Sequence, residues 1–260
     1  MELKKAIRPY VMSIAGFDPS AGAGLLADVK CFEQQKVYGF GICTALTVQT
    51  DIDFLKNNWL DTAQIIEQIA PLLSRFKIAA VKIGLIKNIS VLIDVIDHLK
   101  KEQSEIKIVM DPVMKASAGY TFHDWDNGLK QLLPVLKKID LITPNYHEML
   151  HLGGKNEVFT AAKIWSSYCP VLLKGGHNTK NIGTDYLYVD DHVHELKPDI
   201  KTIHQKHGSG CVLSAAITAM IAKGNGLLEA CTLAKVNTEH FLNSNESLLG
   251  YHNIIQKEND

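Results

Sequence analysis

The sequence has no excess of charge of either sign: 27 Lys and Arg stand against 28 Asp and Glu, a net charge of -1 over 260 residues. So balanced a chain lacks the basic stripe that neutralising a nucleic-acid backbone or an anionic membrane requires, which leaves small-molecule chemistry as the class to pursue. No apolar run reaches the roughly 18 residues of a membrane span. The N-terminal stretch MELKKAIRPYVMSIAG has no long apolar core ahead of a small-residue cleavage site, so the expected location is cytoplasmic. The five cysteines, Cys31, Cys43, Cys169, Cys211 and Cys231, are odd in number and nowhere spaced C-x-x-C, which argues against a disulfide framework and a zinc knuckle. Four of them read as small core residues. Repeats and low-complexity linkers are also missing, and 46% hydrophobic content is ample for a sizeable core, so residues 1–260 read as a single domain.

What is present is an alternation of short apolar runs and amphipathic segments. YVMSIA, GFGICTALTVQ, IAAVKIG, IKIVMD, DLITP and VLLKGG read as strands. Between most of them lie helical patterns such as GLLADVKCFEQQ, DTAQIIEQIAPLLSRF and SVLIDVIDHLKKE. Strands separated by helices imply an α/β fold with a mainly parallel central sheet and helices on both faces. DYLYVDDHVHELK reads as a hairpin turning at Asp190 and Asp191, and helices close the chain. Ligands of such sheets bind beyond the carboxyl ends of the strands. The loop from Gly16 to Gly24, Gln49, Lys82 to Gly84, Asp111, TPNYHE and Lys174 all fall at such ends. Met110 and Met114 read as core packing, and Lys100 to Glu105 as a solvated face.

Three motifs compete for the chemistry. GAGLLA, Gly22 to Ala27, fits the dinucleotide fingerprint G-x-G-x-x-A, but FDPS separates it from the strand that should lead straight into the first glycine. HEMLHLGGKNE, His147 to Glu157, satisfies H-E-x-x-H and would make a zinc protease through His147 and His151. TPN just upstream is helix-cap chemistry, however, placing His147 and Glu148 in a first helical turn instead of mid-helix. HGSGCVLSAAITAM, His207 to Met220, delivers Cys211 to the start of an apolar helix behind two glycines and a serine. Unpaired N–H groups and the helix dipole make such a start a site for phosphate, and a helix start is expected to lower the thiol pKa. Asp111 and Glu148 at strand ends and the lysine of LLKGG are the further parts of a phosphoryl-transfer site.

Taken in order, SIAGFDPSAGAGLLADVK, YGFGICTALTVQ, VKIGLI, MDPVMKASAG, LITPNYHEM, VLLKGGH and HGSGCVLSAAI resemble the hydroxymethylpyrimidine and phosphomethylpyrimidine kinases of thiamine biosynthesis. These are ribokinase-like proteins, a superfamily that also holds the pyridoxal kinases. The resemblance implies an ATP- and Mg²⁺-dependent kinase acting on 4-amino-5-hydroxymethyl-2-methylpyrimidine and then on its monophosphate, with pyridoxine or pyridoxal as the alternative substrate. It implies substrate contacts from Gly16, Asp28 and Gln49, a nucleotide-phosphate contact from Lys174, and a magnesium site at Asp111 and Glu148. Gly208, Ser209 and Gly210 become the anion hole and Cys211 the residue facing the attacking hydroxyl. It also implies a homodimer. Phe17 stands where the family has a small hydroxyl residue, which bears on substrate identity. KASAGYTFHD, residues 115–124, is the expected water-excluding flap.

Overall fold

The computed structural model describes residues 8–115, 119–122, 128–176, 181–200 and 204–252. Among these, nine strands form one sheet in the order β3-β2-β1-β4-β5-β6-β7-β8-β9. The strands are β1 (Tyr10–Phe17), β2 (Tyr38–Gln49), β3 (Phe54–Trp59), β4 (Ile78–Ile83), β5 (Lys107–Met110), β6 (Leu141–Ile142), β7 (Val171–Leu173), β8 (Asp185–Val189) and β9 (His192–Leu196). From β2 through β1, β4, β5 and β6 to β7 the pairing is parallel. At the edges β3, β8 and β9 run antiparallel. Asp190 and Asp191 both take left-handed φ in the turn between β8 and β9, as a tight hairpin of that kind demands.

The central parallel strands β1 and β4 are largely buried because both faces of the sheet are covered there, whereas β2 is partly exposed. On β1, Met12 and Ile14 enter the core packed under helices α2 (Thr62–Arg75), α3 (Ile89–Glu102), α4 (Gly128–Leu136), α5 (Tyr146–Leu152) and α6 (Val158–Ser166). Val11 enters the core on the other side, under α1 (Gly24–Gln34), α7 (Ser209–Ala222) and α8 (Leu227–Leu242). The α2 helix shows how local sequence sets such an element. Asp61 and Gln64 form a reciprocal capping box at its start, and Ile65, Ile69 and Leu73 recur at helical spacing to bury one stripe. Each buried aliphatic side chain contributes about 1.5–3 kcal/mol.

The connection leaving β1 runs through α1 on one face, whereas those flanking β4 run through α2 and α3 on the other. Strand order therefore reverses between β1 and β4, and a crevice opens above their carboxyl ends. Met110 and Met114 are buried, as are Cys31, Cys169 and Cys231; Cys43 is half-buried. β3 gives no strand signal in the sequence, because the apolar residues of FLKNNW, Phe54, Leu55 and Trp59, do not alternate and an edge strand needs none on its open side.

Candidate functional site

Two helix starts meet above the crevice. α2, α3, α5 and α6 are each capped by a side chain, from Asp61, Asn88, Asn145 and Glu157. α1 and α7 begin at Ala23 and Gly208 with no side-chain cap, leaving their first N–H groups available. Glycine makes the meeting possible. Gly208 takes φ 76°, and a Cβ there would lie 2.1 Å from the Gly22 carbonyl oxygen. Gly24 takes φ 58°, and its Cβ would lie 2.3 Å from the Gly16 carbonyl oxygen. The loops preceding α1 and α7 are thus in backbone contact.

Asp18 ties these loops together. One of its oxygens accepts from the Ala23 N–H at 2.9 Å and pairs with His207 Nε2 at 2.9 Å, while Ser20 donates from both its backbone and its hydroxyl. Burial works against the Asp18 carboxylate, but the bonds from His207, Ser20 and Ala23 outweigh it and hold its pKa below the usual carboxylate value. Sequence reasoning missed both residues as a pair. An aspartate before Pro19 reads as turn chemistry, and nothing local links it to a histidine 189 positions away.

Cys211 sits in the first turn of α7, half-buried. Here the structure corrects the expected thiol chemistry. Burial raises the Cys211 pKa; Lys82 opposes this, Asp28 and Asp111 reinforce it, the Gly24 N–H again lowers it, and the net shift is upward. Desolvation is the largest of these causes, with the two nearby carboxylates adding to it.

Charged side chains gather on the other side of Gly210. Asp111, just past β5, receives Lys174 Nζ at 2.7 Å and the Thr143 hydroxyl at 3.2 Å on one oxygen, and the Ser214 hydroxyl at 3.3 Å on the other. Lys174 also lies 3.9 Å from Glu148. Glu148 completes the capping box of α5, accepting the Asn145 N–H at 2.7 Å. Burial raises its pKa to about 7, with Lys174 pulling it down and Asp111 pushing it up. Burial opposes the charge on Lys174, but Asp111 and Glu148 prevail and hold the ammonium above its ordinary range. A Cβ on Gly210 would stand 3.3 Å from Lys174 Nζ, so this cluster abuts the helix start directly. Two carboxylates sharing one desolvated space are hard oxygen donors, the set that suits Mg²⁺.

The far side of the crevice is formed by the ends of β1 and β2. Gly16 is buried against Leu85, and Phe17 is half-buried after a register shift, its carbonyl accepting the Thr47 hydroxyl at 2.8 Å. Gln49 donates to that same hydroxyl at 2.9 Å and remains half-buried. Asp28 lies deeper, fully buried, with Lys82 Nζ at 2.7 Å from both its oxygens and the Ser13 hydroxyl at 2.5 Å from one. A ring contact from Asp28 would require that pairing to open. Lys82, expected at the rim, is buried beneath it.

His147 and His151 are exposed on α5, and among the described residues no three His, Cys, Asp or Glu side chains converge to hold a metal ion. That removes the geometric basis for the zinc protease. GAGLLA contains the first turn of α1 but, as the spacing indicated, is displaced from the end of β1 by the Asp18 loop. In the flap segment, residues 116–118, 123 and 124 lie outside the described residues. Of the rest, Lys115 pairs with Thr121, and Tyr120 stacks on Phe54 of β3 at 4.5 Å.

Comparison with known proteins agrees with this geometry. Residues 18–255 match the family model for phosphomethylpyrimidine kinase. The hydroxymethylpyrimidine/phosphomethylpyrimidine kinase of Staphylococcus aureus strain MSSA476 is 33% identical over 245 residues, covering 88% of this chain and 86% of that protein. The pyridoxine kinase of Bacillus subtilis strain 168 is 33% identical over 243 residues, covering 86% of each. Among solved structures, the pyridoxal kinase from Staphylococcus aureus in complex with AMP-PCP and pyridoxal superposes with a TM-score of 0.79 at 25% identity, covering 92% of this chain and 89% of that one. The match from residue 18 to residue 255 includes both helix starts, the charged cluster and the end of β2, and the chain belongs to the phosphomethylpyrimidine kinase family.

Proposed function

We propose that the chain, acting as one kinase domain, transfers the γ-phosphoryl group of ATP to the hydroxymethyl group of 4-amino-5-hydroxymethyl-2-methylpyrimidine, and then phosphorylates the monophosphate, in thiamine biosynthesis. The observation that carries this is that the loops leading into α1 and α7 are in backbone contact beside Gly210, where an added Cβ would stand 3.3 Å from Lys174 Nζ of the lysine–carboxylate cluster. In this reading the alcohol oxygen bonds to the γ-phosphorus as the bond to the bridging oxygen breaks, and that electron pair leaves with ADP. The N–H groups of Gly208, Ser209 and Gly210 stabilise the charge in transit. Cys211 faces the attacking hydroxyl, and its thiolate form takes the hydroxyl proton as the bond to phosphorus forms; a loose transition state asks for little base strength.

Lys174 binds the transferring phosphates, and Asp111 and Glu148 hold Mg²⁺, which supplies charge neutralisation for the nucleotide. Gln49 and the backbone at Gly16 contact the pyrimidine ring directly, with Asp28 beneath them. A side-chain amide can pair with a ring nitrogen and an exocyclic amine, and an analogue leaving it unpaired is rejected. The exposed edge at Leu46, Val48, Ile52 and Leu55 supports a homodimer. No helix among the described residues is long and apolar enough to cross a membrane, and we assign the protein to the cytoplasm.

Measuring kcat/KM with ATP for the pyrimidine alcohol and for pyridoxal decides the substrate. A pyrimidine preference is expected, and a preference for pyridoxal would move the assignment to the second reading, which the pyridoxine kinase relative favours. In the same assay Cys211→Ala should lower kcat by at least about a hundredfold while keeping the fold, the usual scale for losing a proton acceptor.

A further inference from the structure

The α1 and α7 starts lack capping side chains, yet one atom braces both from behind. Asp18 Oδ2 accepts the N–H of Ala23, the N-cap residue of α1, at 2.9 Å. The same oxygen pairs at 2.9 Å with Nε2 of His207, which stands one residue ahead of Gly208, the N-cap residue of α7. A carboxylate can only accept, so the proton of that second contact sits on Nε2. Ser20 holds the other Asp18 oxygen through its N–H at 2.9 Å and its hydroxyl at 2.8 Å. The His207 N–H donates to the Leu248 carbonyl at 2.9 Å, so its backbone is tied as well as its ring. Packing removes the remaining freedom: a Cβ on Gly22 would stand 2.6 Å from His207 Cδ2. Stability alone does not account for a histidine here. His207 is 5% exposed, and its Nδ1 is buried with no hydrogen-bond partner among the described residues, a cost that an apolar side chain of similar size avoids.

We propose that His207 and Asp18 are positioning residues for phosphoryl transfer: together they hold the turn of Gly208, Ser209 and Gly210 at a fixed separation from the α1 start. This rests on reading that turn as the anion hole. An ordinary capping side chain would place its oxygen on the very N–H groups that a phosphate requires. Asp18 bonds upstream of them instead, at Ala23 and His207, so both helix starts stay open to an anion while the loops that carry them cannot drift apart. Donors fixed in this way need no rearrangement as charge develops on the transferring group, and that is where electrostatic stabilisation is strongest. Neither side chain touches the reacting atoms in this arrangement; both act through the backbone. Loosening the brace therefore weakens the hold on the transition state more than the hold on either substrate.

Steady-state kinetics of the full chain with ATP, Mg²⁺ and its preferred alcohol test the role. His207→Leu should lower kcat about a hundredfold, the scale of a misplacement of about 1 Å, while KM for either substrate moves less than about threefold. His207→Gln, whose amide donates from about the reach of Nε2, should recover at least about tenfold of that loss. Adding His207→Leu to Asp18→Ala should lower kcat by no more than about threefold further, because both remove the same contact. Should His207→Leu fail to fold, His207→Asn takes its place, with an amide that stops short of Asp18. A kcat close to wild type, a loss carried by KM, or His207→Gln no more active than His207→Leu overturns the proposal. Isothermal titration separates it from the anion hole itself. Wild type should bind ADP and Mg²⁺ with aluminium fluoride and the alcohol at least about a hundredfold more tightly than without the fluoride, as a transition-state mimic does. His207→Leu should lose most of that gain and keep its affinity for ADP and Mg²⁺ alone. No gain in wild type overturns the anion-hole reading, and a gain that His207→Leu retains in full overturns the positioning role alone.

Discussion

At the scale of single residues, the site's chemistry is set less by residue type than by what surrounds each side chain. Glu148 shows this most directly. A carboxylate ordinarily titrating near 4.5 is raised to about 7 by burial and by the neighbouring Asp111. In the folded protein it holds its proton where the unfolded chain has lost it, so stability falls as pH rises between about 4.5 and 7. Glu148→Gln keeps a capping-box side chain at that position and removes the titration. In metal-free protein, thermal unfolding followed from pH 4.5 to 7 should show the wild type losing stability relative to this variant; parallel curves would contradict the assignment. Cys211 teaches the same lesson from the opposite side. A helix start favours thiolate in general, and the sequence reveals the helix start, but it does not reveal that Asp28 and Asp111 arrive from distant elements to oppose it.

Among the elements, the one with the largest consequence is the pair of loops leading into α1 and α7. Asp18 accepts from Ala23, Ser20 and His207, and its lowered pKa means that this link stabilises the fold above the ordinary carboxylate value of 3.8 and is lost as pH falls below it. Asp18→Asn should therefore be less stable than wild type at neutral pH, with the gap closing below about pH 4. Denaturant titrations at the two pH values measure it, and a gap that persisted in acid would show that charge is not what holds the loops. Most elements were legible in the sequence. Six parallel strands announce themselves as apolar runs, the TPN cap of α5 is readable from side-chain chemistry, and the β8–β9 turn from its alternating flanks. β3 escaped because an edge strand buries so little, and the Asp18–His207 link escaped because it joins residues that only the fold brings together. Ser13 and Lys82 did leave a trace: a hydroxyl and an amine inside strands otherwise apolar on both faces.

For the molecule as a whole, the sheet order brings the carboxyl ends of β1, β4, β5 and β7, and with them the Asp18 loop, Asp111 and Lys174, to one rim of the sheet. The β2–β3 edge is the complementary feature, carrying Leu55 at 72% and Ile52 at 63% exposure at the sheet's open margin. If this edge is where two copies join, Leu55→Glu should convert the dimer to a monomer in sedimentation velocity while leaving circular dichroism unchanged. An unaltered sedimentation coefficient would place the interface elsewhere. The absence of room for a methyl group between Gly208 and the Gly22 carbonyl has a wider consequence. Neither phosphate-facing loop can be remodelled without its neighbour, whereas Phe17 and Gln49 stand on strand ends outside that contact. Side chains at that margin can thus change while the two loops stay locked to each other.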